Sequence, residues 1–197
     1  MYPKSSSTIA KILDAAQKLF VSKNYADVTM AGIAEAAQVT KGALYHHFAS
    51  KEKLYEAMML ADFSEKQTVM RAAAQSEGTC RERLRLLTLN FFKLPPDKRE
   101  MMQLIRRDIN IFKNPVRNRL VRAYQVALPE QVETIIADGI HNGELIETDP
   151  RLLAWQYVAM VEVVLSRYAQ NTLESHQQMA DYVLNLFFNG ARNHKSS

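Results

Sequence analysis

Apolar residues recur three and four positions apart along almost the whole chain, and no strand-like alternation between hairpin turns interrupts them. The first stripe is Ile9, Ile12, Leu13, Ala16, Leu19 and Phe20. It predicts a helix capped by Ser7 or Thr8 and ended by Asn24 in the left-handed conformation. Tyr25 and Val28 then return the chain to the core. Thr29 opens a second helix bearing Met30, Ile33, Ala34 and Ala37, and after the turn at Gln38 and Val39 a third helix, capped by Thr40, runs over 41–48. Two short helices joined by so tight a turn form a helix-turn-helix.

Longer helices follow. One runs over 51–76 without Gly or Pro, a span of roughly 35–40 Å at the helical rise. A fifth over 79–94 carries Leu84, Leu87, Phe91 and Phe92 and stops at Pro95 and Pro96. Asp97 and Glu100 read as a capping box for a sixth, which bears Met101, Leu104, Ile105, Ile109 and Phe112. Asn114 before Pro115 starts a seventh, kinked at Pro129 and closed by Asn142 and Gly143. Asp149 and Pro150 start an eighth over 150–170, and a ninth covers 175–191. The expected fold is all-α, with a helix-turn-helix head over 1–50 and a larger helical body over 51–197.

The third helix divides its residues as a DNA-reading helix must. Thr40, Lys41, Gly42, Tyr45, His46 and His47 crowd polar groups onto one short segment, while Val39, Ala43, Leu44 and Phe48 supply apolar contacts. Hydroxyl, lysine and imidazole donors suit phosphates, and the N-terminal residues suit the major groove. Thr40, Tyr45 and His47 read as phosphate clamps, and Lys41, Gly42, Leu44 and His46 as base-side residues. Ser50 caps the next helix and puts Lys51 beside a further phosphate position. Adjacent histidines diverge by about 100° on a helix and chelate poorly, so no metal is expected.

The run VTKGALYHHFASKEKL over 39–54 resembles the DNA-binding signature of the TetR family of bacterial repressors, and FVSKNYADVTMAGIA over 20–34 resembles the stretch before it. The resemblance implies a phosphate-contacting threonine at Thr29, a hydroxyl cap at Thr40, and base-edge and backbone approach at Lys41 and Gly42. It implies a phosphate-binding Tyr45, followed by His46 and His47, and a lysine opening helix four at Lys51. Two positions depart from the pattern. Asn24 and Gln38 stand where the family often has glycine, and a positive φ at Gln38 costs about 1 kcal/mol or more.

The last two predicted helices are apolar on more than one face, through Trp155, Val158, Val161, Val163 and Val164, then Tyr182, Leu184, Phe187 and Phe188. Such helices need partners on several sides, and a second copy is the economical one. Val163, Val164, Tyr182, Leu184, Phe187 and Phe188 are the expected homodimer contacts, in a four-helix bundle that the resemblance also implies. A two-fold dimer would set two recognition helices about 34–36 Å apart on an inverted repeat. The resemblance further implies an effector pocket in the body. Its candidates are Phe91, Met101, Leu104, Phe112, Tyr124, Trp155, Met160 and Glu162, each of which also fits ordinary core. Glu162 is costly to bury unpaired. It could face a cationic ligand, pair with Arg106, Arg107 or Arg167, or point to solvent.

Composition narrows the rest. Hydrophobic residues make up 47% and charged residues 23% of the 197, an ordinary globular balance. The net charge is +4, and residues 1–55 hold seven lysines against four carboxylates, so most of the excess lies in the first quarter of the chain. The single cysteine, Cys80, has no intramolecular partner, and the N-terminus does not read as a signal peptide, so a cytoplasmic location is expected. The apolar stretch 152–165 is shorter than the roughly 20 residues of a membrane span. The nine methionines suit an adaptable pocket for a small hydrophobic effector. No cofactor is expected, and no glycine-rich phosphate loop, nucleophile elbow or metal-ligand cluster supports an enzyme. The expected function is a dimeric repressor of a double-stranded DNA operator, released by that effector. The alternative is a DNA-binding regulator or architectural protein without a small-molecule sensor.

Overall fold

The computed structural model describes residues 3–190, with side chains from residue 7 onward. Within them the chain is built of eleven α-helices and two 3-10 turns, with no strand. The helices are α1 (Pro3–Ser22), α2 (Met30–Ala36), α3 (Lys41–His47), α4 (Lys51–Ala74), α5 (Cys80–Phe92) and α6 (Pro96–Asp108). They continue as α7 (Val116–Ala127), α8 (Pro129–His141), α9 (Pro150–Val163), α10 (Arg167–Thr172) and α11 (His176–Asn189). They form two compact units. The first takes α1 to α3, α4 as far as Glu65, and Pro95–Tyr124; the second takes Lys66–Leu94 and the chain from Gln125 onward.

The first unit closes over an aromatic cluster. The Phe20 ring lies edge-on to Tyr55 at 4.9 Å and stacks on Tyr25 at 5.7 Å, while Phe112 packs on Tyr55 at 4.9 Å and Tyr25 at 5.2 Å. Phe112 is therefore a core residue beneath the head. Polar bonds fasten α6 near both ends. Near its start, Gln17 of α1 donates to Asp97 at 2.8 Å, and Lys98 pairs with Glu65 of α4 at 2.7 Å. Near its finish, Tyr55 of α4 donates to Asp108 at 3.1 Å, and Arg107 donates to the Phe20 carbonyl of α1 at 2.9 Å. Glu56 of α4 accepts from Arg119 of α7 at 2.5 Å. These bonds hold α6 and most of α7 in the same compact unit as α1 to α3.

In the second unit, α5 begins with a full capping box, Thr79 bonding the Glu82 amide and Glu82 bonding the Thr79 amide. Cys80 then meets Gly139 of α8 so closely that a Cβ there would lie 2.7 Å from the Cys80 Cβ. Burial, with the Glu144 carboxylate second, pushes the Cys80 thiol up to about 12, so it stays protonated and unreactive. On α9, the buried Tyr157 hydroxyl lies 2.6 Å from Thr88 of α5. Arg85 pairs with Asp181 of α11 at 2.9 Å.

Several predicted boundaries move. Helix α1 starts at Pro3, so Ser7 and Thr8 lie inside it, and Asn24 is extended at φ −67° rather than left-handed. Asp97 and Glu100 form no capping box, because Pro95 occupies the cap position of α6 and Asp97 takes the Gln17 bond. The predicted seventh helix is two, α7 and α8, with Leu128 outside the helical region at φ −134°. The predicted eighth stops at Val163 and restarts as α10, because the Ser166 side chain accepts from the Ala169 amide and caps the new start. The interface candidates divide as well. Val163 and Tyr182 are 66% and 52% exposed and Phe187 and Phe188 are half-buried, but Val164 and Leu184 are buried within their own unit.

Candidate nucleic-acid interface

Each helix of the reading motif starts on a threonine. The Thr29 hydroxyl accepts from the Gly32 amide at 3.0 Å and opens α2, and the Thr40 hydroxyl accepts from the Ala43 amide at 3.1 Å and opens α3. A capping hydroxyl keeps its own proton to donate, so each stands ready at a helix N-terminus where an anion is favoured. Between them the turn depends on Gln38, which takes φ 56°, the one non-glycine residue with positive φ among those described. That conformation lets the Val39 amide reach back to the Ala34 carbonyl at 2.9 Å and sets the direction in which α3 leaves.

Helix α3 holds on by two residues and presents the others. Leu44 is fully buried and Phe48 nearly so, while Lys41, Gly42 and His46 are exposed and Tyr45 is 52% exposed. His47 is half-buried, with its ring 5.2 Å from that of His46. Leu44, expected on the base side, is instead an anchor in the head core. A Cβ on Gly42 would meet only the Thr40 hydroxyl, at 3.9 Å, so its bareness serves nothing inside the protein. The exposed face carries hydroxyls, one ammonium, one exposed imidazole and an uncovered stretch of backbone, and it carries no carboxylate.

Lys51 stands apart from that face. Its ammonium donates to the Tyr25 and Val28 carbonyls at 2.7 and 2.8 Å and to Ala26 at 3.4 Å, and sits 4.4 Å from the centre of the Tyr25 ring. The sequence placed it at a phosphate; the structure places it on the protein's own backbone. Nothing local to Lys51 signals this, since its acceptors lie more than twenty positions away.

The effector candidates divide between the two units. Met101, Leu104, Phe112 and Tyr124 belong to the first unit, all buried, while Phe91, Trp155, Met160 and Glu162 belong to the second. The second unit contains a small apolar cavity lined by Leu87, Thr88, Phe91, Leu128, Tyr157 and Val161, among others, with about the room one water needs. Phe91 alone of the eight candidates lines it. Trp155, Met160 and Glu162 lie half-buried elsewhere on α9. Periodicity placed those residues on an apolar helix but could not say which neighbours they meet.

A capped helix pair with a bared recognition face, carried on an all-helical frame, defines a helix-turn-helix DNA-binding protein. The family described as bacterial regulatory proteins, tetR family, matches residues 12–58, and the tetracyclin repressor-like, C-terminal domain matches residues 77–191. The chain belongs to the TetR family of transcriptional regulators. It is 27% identical over 172 residues to the HTH-type transcriptional regulator TtgR of Pseudomonas putida, covering 84% of this chain and 81% of that one. Two solved structures share the fold. FadR of Bacillus subtilis in complex with stearoyl-CoA has a TM-score of 0.78 at 19% identity, covering 93% of this chain and 99% of its own. AibR in complex with isovaleryl coenzyme A and operator DNA has a TM-score of 0.77 at 22% identity, covering 92% and 98%. Among the described residues no helix is long and apolar enough to cross a membrane.

Proposed function

We propose that this regulator is a cytoplasmic repressor that binds an inverted-repeat operator as a homodimer and is released by a small hydrophobic effector. The observation that carries the operator reading is the outward face of α3, with Lys41, Gly42, Tyr45 and His46 exposed over the buried Leu44. In this reading Thr29, Thr40, Tyr45 and His47 hold phosphates, and Lys41, Gly42 and His46 approach base edges. The dimer reading rests on exposed Leu152, Val163 and Tyr182, with half-buried Trp155, Leu186 and Phe187, on α9 and α11. An apolar surface of that kind is suited to a second copy, and Val164 and Leu184 would support it from within. The ligands named with FadR and AibR support small-molecule sensing in proteins of this fold.

The test starts from duplexes that the protein selects out of a randomised DNA pool. Thr40→Ala and Tyr45→Phe are expected to weaken binding on every selected duplex alike, while Lys41→Ala and His46→Ala shift which bases are preferred. A Lys41→Ala, Tyr45→Phe double variant that binds as tightly as the parent would sink the reading. Light scattering is expected to return a dimer, and Val163→Glu with Tyr182→Glu to return a monomer.

One observation favours the second reading, a regulator without a sensor: the cavity between α5, α8 and α9 has room for little more than one water. A thermal-shift screen of small hydrophobic compounds decides between them. Compounds that stabilise the protein and release the duplex support the effector, and a screen in which none stabilises it supports the regulator without one.

A further inference from the structure

The link between α1 and α2 is gripped by two cations that come from far along the chain. After the last turn of α1 the backbone leaves its carbonyls without helical partners, and the residues after it carry only one short 3-10 turn at Tyr25–Asp27. Arg107, at the end of α6, donates through Nη2 to the Phe20 carbonyl at 2.9 Å and the Lys23 carbonyl at 3.2 Å, and the same guanidinium grips Asp108 at 2.8 and 2.9 Å. Lys51 takes three carbonyls further along, those of Tyr25, Ala26 and Val28. An ammonium has three donors, and here three carbonyls receive them.

The placement of Lys51 is unusual enough to require a reason. It is the first residue of α4, where the helix dipole disfavours a positive charge. The convergent carbonyls and the Tyr25 ring provide one, since together they form a negative socket aimed at that ammonium. The socket ends at Val28, and the next residue is Thr29, whose hydroxyl caps α2. Whatever fixes the Val28 carbonyl fixes the direction in which that hydroxyl points.

We infer that Lys51 is a positioning residue for operator binding, its charge spent on the carbonyls of the α1–α2 link rather than on a DNA phosphate, with Arg107 gripping the same link one turn earlier. This rests on the operator reading above and reverses the role that sequence resemblance gives to Lys51. The geometry also separates lysine from arginine at this position. Three carbonyls that converge on one point suit a compact ammonium, and a planar guanidinium of the same charge does not fit them.

Two measurements on the full-length protein test the inference. The first uses no DNA. In hydrogen exchange, K51M and K51R are both expected to exchange faster than the parent over residues 23–33 and at the parent rate in α8 and α9. Parent-like exchange over residues 23–33 in both variants would overturn the inference. The second uses a duplex selected from a randomised pool by the parent protein. Both variants are expected to bind about tenfold more weakly, with the slope of log affinity against log salt unchanged, whereas a lost phosphate contact lowers that slope by about 0.9. K51R with parent affinity, together with K51M of reduced slope, would return Lys51 to the phosphate and overturn the inference. A pool that yields no duplex refutes the operator reading, and the exchange experiment still decides the clamp.

Discussion

The Tyr55 hydroxyl donates to the Asp108 carboxylate at 3.1 Å, across a sequence separation of fifty-three residues and out of contact with solvent. Burial, then the charge of Asp108, hold the Tyr55 phenol far above its ordinary value, so it remains a donor throughout the accessible pH range. Tyr55→Phe leaves Asp108 with its two bonds from Arg107 and is expected to cost about 1 kcal/mol, while Asp108→Ala strands both partners and costs more. Urea unfolding of the two variants checks the order; a smaller loss in Asp108→Ala would contradict it.

Glu56 gives the head an acid-sensitive joint. The bond from Arg119 comes first among the causes that hold its carboxyl below the ordinary value, with the bond from Lys53 helping and burial opposing. A depressed folded-state value means the joint stabilises the fold above the usual carboxylate range and loses that contribution as the pH falls through the folded value. Thermal unfolding at several pH values below neutrality is expected to show a steeper acid loss in the parent than in Glu56→Gln. Parallel curves would refute the joint.

Gln38 holds φ 56° where a glycine would meet no steric penalty. Gln38→Gly relieves that strain but adds freedom to the unfolded chain, so the expected net gain is up to about 1 kcal/mol. A lowered melting temperature would show that the Gln38 side chain contributes more than its backbone costs.

Gly139 leaves no room for a methyl group. A Cβ there would lie 2.7 Å from the Cys80 Cβ and 2.8 Å from its Sγ. Gly139→Ala is therefore expected to destabilise the second unit by about 1–3 kcal/mol. Cys80→Ala in the same chain removes the sulfur but keeps the Cβ contact, so it should not restore full stability. Parent-like unfolding of Gly139→Ala would mean that α5 and α8 separate more freely than their packing suggests.

The local chemistry of the head could be read from sequence because each signal lies within a few residues of its effect. Thr29 and Thr40 cap as predicted, and Gln38 takes the positive φ of the glycine it stands for, despite the cost the sequence attached to it. Part of what escaped the sequence depends on distant partners. Asp97 follows a capping pattern, yet Gln17 claims it from eighty residues away, while the same pattern at Thr79 and Glu82 does form a box. Periodicity ran α9 and α10 together because the apolar spacing continues across Ser166, whose capping bond breaks the helix. Leu44 looked like a base-side residue because exposure is a property of the packed head. The pocket candidates divide between the two units, and an apolar stripe says that a residue is covered, not by what.

The fastening of α6 near both its ends bears on how this protein can be taken apart. A fragment cut after residue 50 would lose Lys51, Tyr55, Asp97 and Arg107, and with them the partners of Gln17 and of the carbonyls from Phe20 to Val28. Its Phe20 ring, fully covered in the whole chain, would face water. A chimera that borrows this DNA-reading motif together with the unit that supports it transplants two separate stretches of chain, the first running into α4 and the second carrying α6 and α7. The seam between old and new protein would have to be made three times, once inside α4, once before α6 and once inside α7.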